Sequence, residues 1–238
     1  MTLSNSVDWR LSGRREYNQF MISVKSRNAK RRYESPLREE GARRTQQVVV
    51  SVARELFVAH GYAATSLADV AAKAGVARPT VFAAFGSKSA LLRQVLDQAL
   101  AGDDEDIPAF KRPWFQPVWN APSQGTALDA YATVCTLICE RAAEIFETVR
   151  QAANSAADVT ELWNTMQSNR RAGARMVIEH LESFGPLRGG LDTEQATDLL
   201  WIFNDPAHYN ALVLQCGWSK TSFTDWLSDE MRNALLSR

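Results

Sequence analysis

The stretch that decides the fold covers residues 65–88 and has the sequence TSLADVAAKAGVARPTVFAAFGSK. Ser66 and Asp69 stand three residues apart at its start. This spacing predicts a capping box, in which the serine hydroxyl accepts a hydrogen bond from the helix backbone and the carboxylate accepts one from the backbone N–H of the serine. A short helix is therefore expected over residues 67–74.

The next feature is a glycine turn followed by a second short helix. Gly75 suits the left-handed residue that follows the last helical residue, and Val76 suits the hydrophobic contact after it. A second helix is expected over residues 78–84. Two short helices joined by a tight turn with glycine form a helix-turn-helix, whose second helix enters the major groove of DNA.

Helices are also predicted on both sides of this pair. Residues 45–60 carry apolar side chains at the spacing of one buried helix face, and Gly61 ends that helix. Ser87 is a candidate N-cap for a fourth helix over residues 88–100. The buried face of the first helix consists of Val48, Val49, Val52, Ala53, Leu56 and Phe57.

The rest of the chain predicts a second helical domain. An acidic break at residues 103–106 and a connector rich in proline and aromatic residues at 107–122 place the boundary near residue 102. No convincing strand pattern is present, so the fold class is all-α. The helices expected after the connector cover residues 126–153, 159–184, 193–203, 207–215 and 220–236.

Charge is balanced overall but divided unevenly along the chain. There are 27 Lys/Arg and 27 Asp/Glu; residues 1–44 hold 11 and 5 of these, and residues 102–238 hold 11 and 19. A basic end joined to an acidic end suggests an anionic partner at the N-terminal side. Three cysteines fit a reducing cytoplasm. No stretch approaches the roughly 18 apolar residues of a membrane span, so no membrane partner is expected.

Residues 1–44 are interpreted as a basic, disordered arm, since they lack apolar periodicity. Such an arm can add phosphate contacts or enter a minor groove. The alternatives are a solvated tail without a role and a start codon assigned too early, with Met21 as the true start.

Residues 53–92, ARELFVAHGYAATSLADVAAKAGVARPTVFAAFGSKSALL, resemble the TetR (tetracycline-repressor-like) family of bacterial transcription regulators. The order F-x-x-x-G-Y, T-S, D-V-A, A-G-V and F-x-S-K is that of the family, and residues 217–236 resemble its C-terminal end. The resemblance implies a homodimer, a helix-turn-helix DNA-binding domain at residues 45–101, and a helical domain at residues 102–238 that binds a small-molecule effector and forms the dimer.

The resemblance also implies a set of DNA-facing positions. Arg78 can offer a bidentate fork to guanine or bind a phosphate, and the methyl group of Thr80 can meet that of thymine. Lys88, at a helix N-terminus, suits phosphate binding. The full predicted set is Thr65, Ser66, Arg78, Pro79, Thr80, Phe82 and Lys88.

Three positions depart from the family pattern. Many relatives carry tyrosine where Phe82 stands, and histidine or tyrosine where Ala83 and Ala84 stand. The second helix therefore has few side-chain donors for phosphates. Either DNA binding is weak, or the basic arm compensates; we favour compensation.

A ligand site is predicted from polar residues on otherwise apolar helix faces, because a buried polar group needs a partner. Asn169 and Arg170 fit this description best, and the effector is expected to be hydrophobic or aromatic. The predicted set is Tyr131, Cys135, Trp163, Met166, Asn169 and Arg170.

Cys135 and Cys139 lie one helical turn apart. A redox or metal switch is conceivable, but no histidine or carboxylate stands at ligand spacing, so buried core thiols are favoured and no metal or cofactor is expected. No pairing of a nucleophile with a base indicates an enzyme.

The last helices are expected to form the dimer interface through Leu199, Leu200, Leu212, Val213 and Trp226. A two-fold dimer presents two recognition helices about 34 Å apart, or a multiple of that distance, to a palindromic operator. The sequence thus predicts a transcriptional repressor that binds double-stranded DNA and is released from it by an effector. The alternative is a helical ligand-binding or redox-sensing module whose specific DNA binding is weak or lost.

Overall fold

The computed structural model describes residues 36–237, and all of its regular secondary structure is helical. The first helix, α1 (Pro36–Ala64), begins nine residues before the predicted start at Thr45. Arg43 explains part of this extension, because its guanidinium binds the Asp104 carboxylate at 2.7 and 2.8 Å. Residues 36–44 of the predicted arm are therefore helical, and the prediction of disorder for residues 1–35 lies outside the described residues.

Three short helices follow α1. These are α2 (Leu67–Ala74), α3 (Arg78–Phe85) and α4 (Lys88–Ala101). The predicted caps are confirmed: Gly75 follows α2 with φ 68°, and the Ser87 hydroxyl accepts a hydrogen bond from the N–H of Ala90 at 3.0 Å. The helix-turn-helix is therefore α2 and α3.

The connector after α4 is held by a buried arginine. Arg112 is only 3% exposed, and its guanidinium donates to the carbonyls of Ile107 and Glu105 at 3.0 and 2.9 Å and pairs with Asp103. Two single turns of 3₁₀ helix and the short helix α5 (Gln116–Trp119) complete this segment. The prolines thus prevent a continuous helix, as predicted.

The C-terminal domain consists of helices, most of whose bounds lie close to the predicted ones. They are α6 (Gln124–Ala153), α7 (Ala157–Glu182), α8 (Thr193–Phe203), α9 (Pro206–Tyr209) and α10 (Lys220–Leu235). The helix expected over residues 207–215 is instead α9 followed by one π-helical segment, Asn210–Gln215. Between residues 36 and 237, no helix combines the length and the apolar character that a membrane span requires.

The buried side chains form two hydrophobic clusters that share α6. The first half of α6 packs with α7, α8 and α10 in a C-terminal cluster that includes Leu128 and Leu200. The second half contributes Ile145, Phe146 and Val149 to a cluster with α1–α4 and the first half of α7. The helix-turn-helix is therefore joined to the C-terminal domain through α1 and α4, which pack against α6.

Candidate nucleic-acid interface

The capping box fixes the start of α2. The Ser66 Oγ accepts a hydrogen bond from the N–H of Asp69 at 3.1 Å, and the Asp69 carboxylate accepts one from the N–H of Ser66 at 2.9 Å. The hydrogen bonds from Ser66 lower the pKa of Asp69. Val70 and Ala71 turn inward from this start and are buried. The box therefore sets the direction in which α2 leaves α1.

Thr65 lies at the corner between α1 and α2 and is only 3% exposed. Its hydroxyl donates to the carbonyls of Gly61 and Leu56 at 2.9 and 3.2 Å. Gly61 has φ 77° and ψ 168°, so the helical hydrogen bonding of α1 is interrupted there, and the Thr65 hydroxyl bonds the Gly61 carbonyl at this break. The Thr65 side chain thus holds the corner, and its predicted position facing DNA is wrong for the side chain.

The second helix of the pair, α3, presents its predicted contact residues to solvent. Arg78, Pro79, Thr80 and Phe82 are all exposed, and Phe82 is 61% exposed. Val81 is fully buried and anchors the opposite face. These four predicted positions therefore belong to one helix whose outer surface is accessible.

Lys88 begins α4, but its side chain is occupied within the protein. The ammonium group lies 2.8 Å from the carbonyl oxygen of Tyr62 and 4.1 Å from the centroid of the Tyr62 ring. Burial, and then the charge of Asp158 at the start of α7, raise the pKa of Tyr62. Tyr62 and Asp158 were missed by the sequence analysis, since nothing local in the sequence signals a contact over almost a hundred residues.

A second polar cluster lies in the C-terminal domain around Arg170, whose side chain is 12% exposed. Its guanidinium donates to the carbonyl of Trp201 at 2.9 Å and to the Asn204 Oδ1 at 2.8 Å, and it lies 3.1 Å from the Asp205 carboxylate. Burial lowers the pKa of Arg170, and the charge of Asp205 opposes this effect. The prediction that Arg170 faces inward is confirmed.

The cluster extends from Arg170 to Tyr131 and Cys135. The Asn204 amide donates to the Tyr131 hydroxyl at 3.0 Å, and both Tyr131 and Cys135 are buried. Burial raises the pKa of the Cys135 thiol to about 12 and also raises that of Tyr131. A thiol with such a pKa is a weak nucleophile at neutral pH.

The other predicted ligand residues lie elsewhere. Asn169 is exposed, so its predicted position on the inner face is wrong. Adjacent helical residues point about 100° apart, and Arg170 occupies the inner direction. Trp163 and Met166 belong to the cluster around α1–α4, where Trp163 packs edge-on against Phe146 at 5.2 Å between ring centroids. Phe146 also lies under the guanidinium of Arg170, at 5.5 Å.

The predicted dimer residues are mostly half-buried in the single chain. Leu200 is fully buried in the C-terminal cluster, so its prediction as an interface residue is wrong. Leu199, Leu212, Val213 and Trp226 pack partly against the same cluster. The large apolar side chains that are exposed in this region are Ile202 at 52%, Leu214 at 48% and Trp218 at 39%.

Known proteins resemble this chain most clearly over the helix-turn-helix. The family model described as "Bacterial regulatory proteins, tetR family" matches residues 49–95. The curated relative ComR of Escherichia coli, an HTH-type transcriptional repressor, is 50% identical over 46 residues, which are 19% of this chain and 22% of ComR. The sequence match thus covers less than a quarter of that relative.

Solved structures extend the likeness to both domains. A transcriptional regulator from Saccharomonospora viridis in complex with choline covers 82% of this chain and 99% of its own, with a TM-score of 0.63 and 17% identity. NalD, the secondary repressor of the MexAB-OprM multidrug efflux pump in Pseudomonas aeruginosa, covers 82% and 98%, with a TM-score of 0.63 and 18% identity.

Residues 49–95 are a TetR-type DNA-binding domain, and the sequence matches support a TetR family transcriptional regulator. The part matched by the TetR family model begins near the middle of α1 and ends within α4, so it contains α2 and α3 complete. In this TetR-type domain, Phe82, Ala83 and Ala84 are all exposed. Both sequence matches, to the TetR family model and to the repressor ComR, point to a transcriptional regulator.

Proposed function

We propose that the protein is a transcriptional repressor that binds a palindromic DNA operator as a homodimer and is released by a small-molecule effector. The exposed outer surface of α3, anchored from behind by the buried Val81, carries the proposal. ComR and NalD, which resemble this chain in sequence and in fold respectively, are both described as repressors.

The DNA contacts are assigned to the outer surface of α3 and to the ends of helices beside it. Arg78 and Thr80 supply the polar contacts from α3, and the exposed Ser66 lies at the start of α2. Lys88 keeps a place in the set, because an ammonium group has three donors and the Tyr62 carbonyl accepts from only one of them.

The dimer is assigned to the surface around Ile202, Leu214 and Trp218. These three side chains are large, apolar and exposed, and such side chains favour association with another apolar surface. In a two-fold dimer the same patch serves both subunits. Replacing Ile202 with Arg is expected to give monomers in sedimentation equilibrium. The control is Val48→Arg in α1, where the side chain is exposed although its spacing predicts a buried face, and this variant is expected to remain dimeric. Equal effects of both substitutions contradict the assignment.

The effector site is assigned to the Arg170 cluster. The Nε–H of Arg170 and the Nε1–H of Trp201 are buried, and neither finds an acceptor within the described part of the chain. An unpaired buried donor costs about 1–3 kcal/mol, so a molecule that accepts from both gains affinity. The rings of Phe146 and Trp201, at 5.5 and 5.7 Å from the guanidinium carbon, suit an apolar or aromatic body. The regulator from S. viridis was likewise solved with a small molecule, choline.

Operator selection from a random pool of duplexes tests the proposal. The full-length protein is expected to enrich a palindrome. Enrichment of no sequence, with only salt-sensitive binding, would instead support a ligand-binding module that has lost specific DNA recognition.

Linkage tests the release mechanism. Effector and operator are expected to weaken each other's binding by the same factor, which corresponds typically to about 1–3 kcal/mol of coupling. Titrating the protein with the effector, with and without the operator, and following tryptophan fluorescence measures this factor. Equal affinities in both titrations rule out release by the effector.

A further inference from the structure

The middle of the outer face of α3 lacks polar groups. Successive helical residues point about 100° apart, so Pro79 and Ala83 point almost directly away from the fully buried Val81. Phe82 lies beside them and is 61% exposed. Pro79, Phe82 and Ala83 follow the i, i+3, i+4 spacing and form one continuous strip, which we call the apolar strip.

The polar side chains of α3 lie on either side of this strip. Thr80 borders it on one side, and Arg78 points back towards the side of Val81. In the major groove, therefore, base edges opposite the middle of α3 meet C–H groups, whereas base edges or phosphates at its margins meet the guanidinium and the hydroxyl group.

Base-pair edges in the major groove offer one apolar group. The acceptors of guanine, the donor of cytosine, and the donor and acceptor of adenine all need hydrogen-bond partners, whereas thymine carries a C5-methyl group. Polar edges pressed against the apolar strip would lose water without gaining a partner. The thymine methyl group instead gains the burial of apolar surface.

We propose that the apolar strip, with Phe82 as its largest member, selects thymine by contact with its methyl group. This inference rests on the proposed DNA-binding function and names the chemistry by which that function is specific. Phe82 lacks the phenolic hydroxyl that a tyrosine would offer to a phosphate, so its ring adds apolar contact area without adding a donor. Specificity in the centre of each half-site then comes from apolar contact.

The test uses the duplex that the full-length protein enriches from a random pool. Each half-site thymine is replaced in turn by deoxyuridine, which keeps the hydrogen bonds of the base pair and removes only the methyl group. Affinity is expected to fall about fourfold for each contacted methyl group, the value for one buried carbon. A duplex with cytosine in the same position is expected to bind the protein more weakly still. A duplex with 5-methylcytosine there is expected to bind more tightly than the one with cytosine.

Two variants assign the effect to Phe82. In Phe82→Ala, the deoxyuridine penalty at one position of each half-site is expected to disappear, while Phe184→Ala, which changes another exposed phenylalanine outside α3, keeps it. Circular dichroism confirms that both variants are folded.

The outcomes separate the two proposals. Failure to enrich any duplex overturns the DNA-binding function and this inference with it. An enriched duplex whose half-sites tolerate deoxyuridine at every thymine overturns the inference alone. A deoxyuridine penalty that persists unchanged in Phe82→Ala also overturns the role of Phe82, since another group then contacts the methyl.

Discussion

Gly61 provides the most direct test of how the helix-turn-helix is positioned. Its φ of 77° and ψ of 168° lie in a region that is essentially restricted to glycine. A Cβ atom built on Gly61 meets no atom within 4 Å, so an alanine there causes no collision. The whole cost of Gly61→Ala is therefore conformational, and we expect the free energy of unfolding to fall by about 1–3 kcal/mol.

Two other glycines supply matched controls. Gly41 lies in the same helix and Gly173 lies in α7; neither has a positive φ, and a Cβ atom on either one meets open space. Alanine is the better helix former, so both substitutions are expected to stabilise the protein by about 0.5–1 kcal/mol. The three variants thus make the same chemical change with opposite expected signs.

Thermal unfolding followed by circular dichroism measures the difference. In a chain of this size, 1 kcal/mol corresponds to a shift in Tm of about 2–4 °C. Gly61→Ala is expected to melt below the wild-type protein, and both controls at or above it. A Gly61→Ala variant that is as stable as the wild type would refute the assignment of a required break at the end of α1.

Three further predictions concern the arm, the thiols and Arg170. Deleting residues 1–35 leaves all of α1 in place. The slope of log DNA affinity against log salt concentration is expected to become smaller by about one unit for each phosphate that the arm neutralises. An unchanged slope contradicts compensation by the arm. Burial raises the pKa of Cys135 to about 12, and Cys139 is buried as well. A thiol reagent at pH 8 is therefore expected to modify the exposed Cys216 quickly and the two buried thiols only after the protein is unfolded in urea. Fast labelling of a second thiol in the native protein contradicts this prediction. Replacing Arg170 with Met is expected to lower the free energy of unfolding by about 1–3 kcal/mol, since its partly buried acceptors lose their donor. Arg171→Met, at an exposed ion pair, should change stability by less than about 1 kcal/mol. Equal effects of the two substitutions contradict a structural role for the cluster.

The features that the sequence predicted correctly depend on residues close together in the chain. The capping box of Ser66 and Asp69, the left-handed Gly75 and the N-cap Ser87 each act within one helical turn. Such signals determine helix bounds before any tertiary contact forms. The helix-turn-helix could therefore be placed almost to the residue.

The predictions that were wrong concern residues whose burial depends on tertiary contacts. Thr65 lies inside because its hydroxyl donates to the carbonyl of Gly61, where the helical hydrogen bonding of α1 is interrupted. Periodicity places Asn169 and Arg170 together on the inner face, although only one of two adjacent helical residues can occupy it. Hydrophobicity alone predicts Leu200 at the dimer interface, because it does not distinguish a residue of the core from one of an interface.

The acceptors of Arg170 could not be predicted for a related reason. Trp201 and Asn204 follow it by more than 30 residues and lie on another helix and at its end. Asp205 is the N-cap of α9, and one of its oxygens accepts a hydrogen bond from the N–H of Ala207 at 2.8 Å. Its other oxygen faces Arg170, a second role that the local sequence does not indicate.

The sharing of α6 between the two hydrophobic clusters limits how this protein can be divided or recombined. A fragment that stops after α4 would lose one wall of its own core, since Ile145, Phe146 and Val149 would be missing. The DNA-binding part is thus not a transplantable module, even though its sequence is the recognisable part of the chain. Chimeras between relatives should retain function only when the second half of α6 and the start of α7 are exchanged together with the helix-turn-helix.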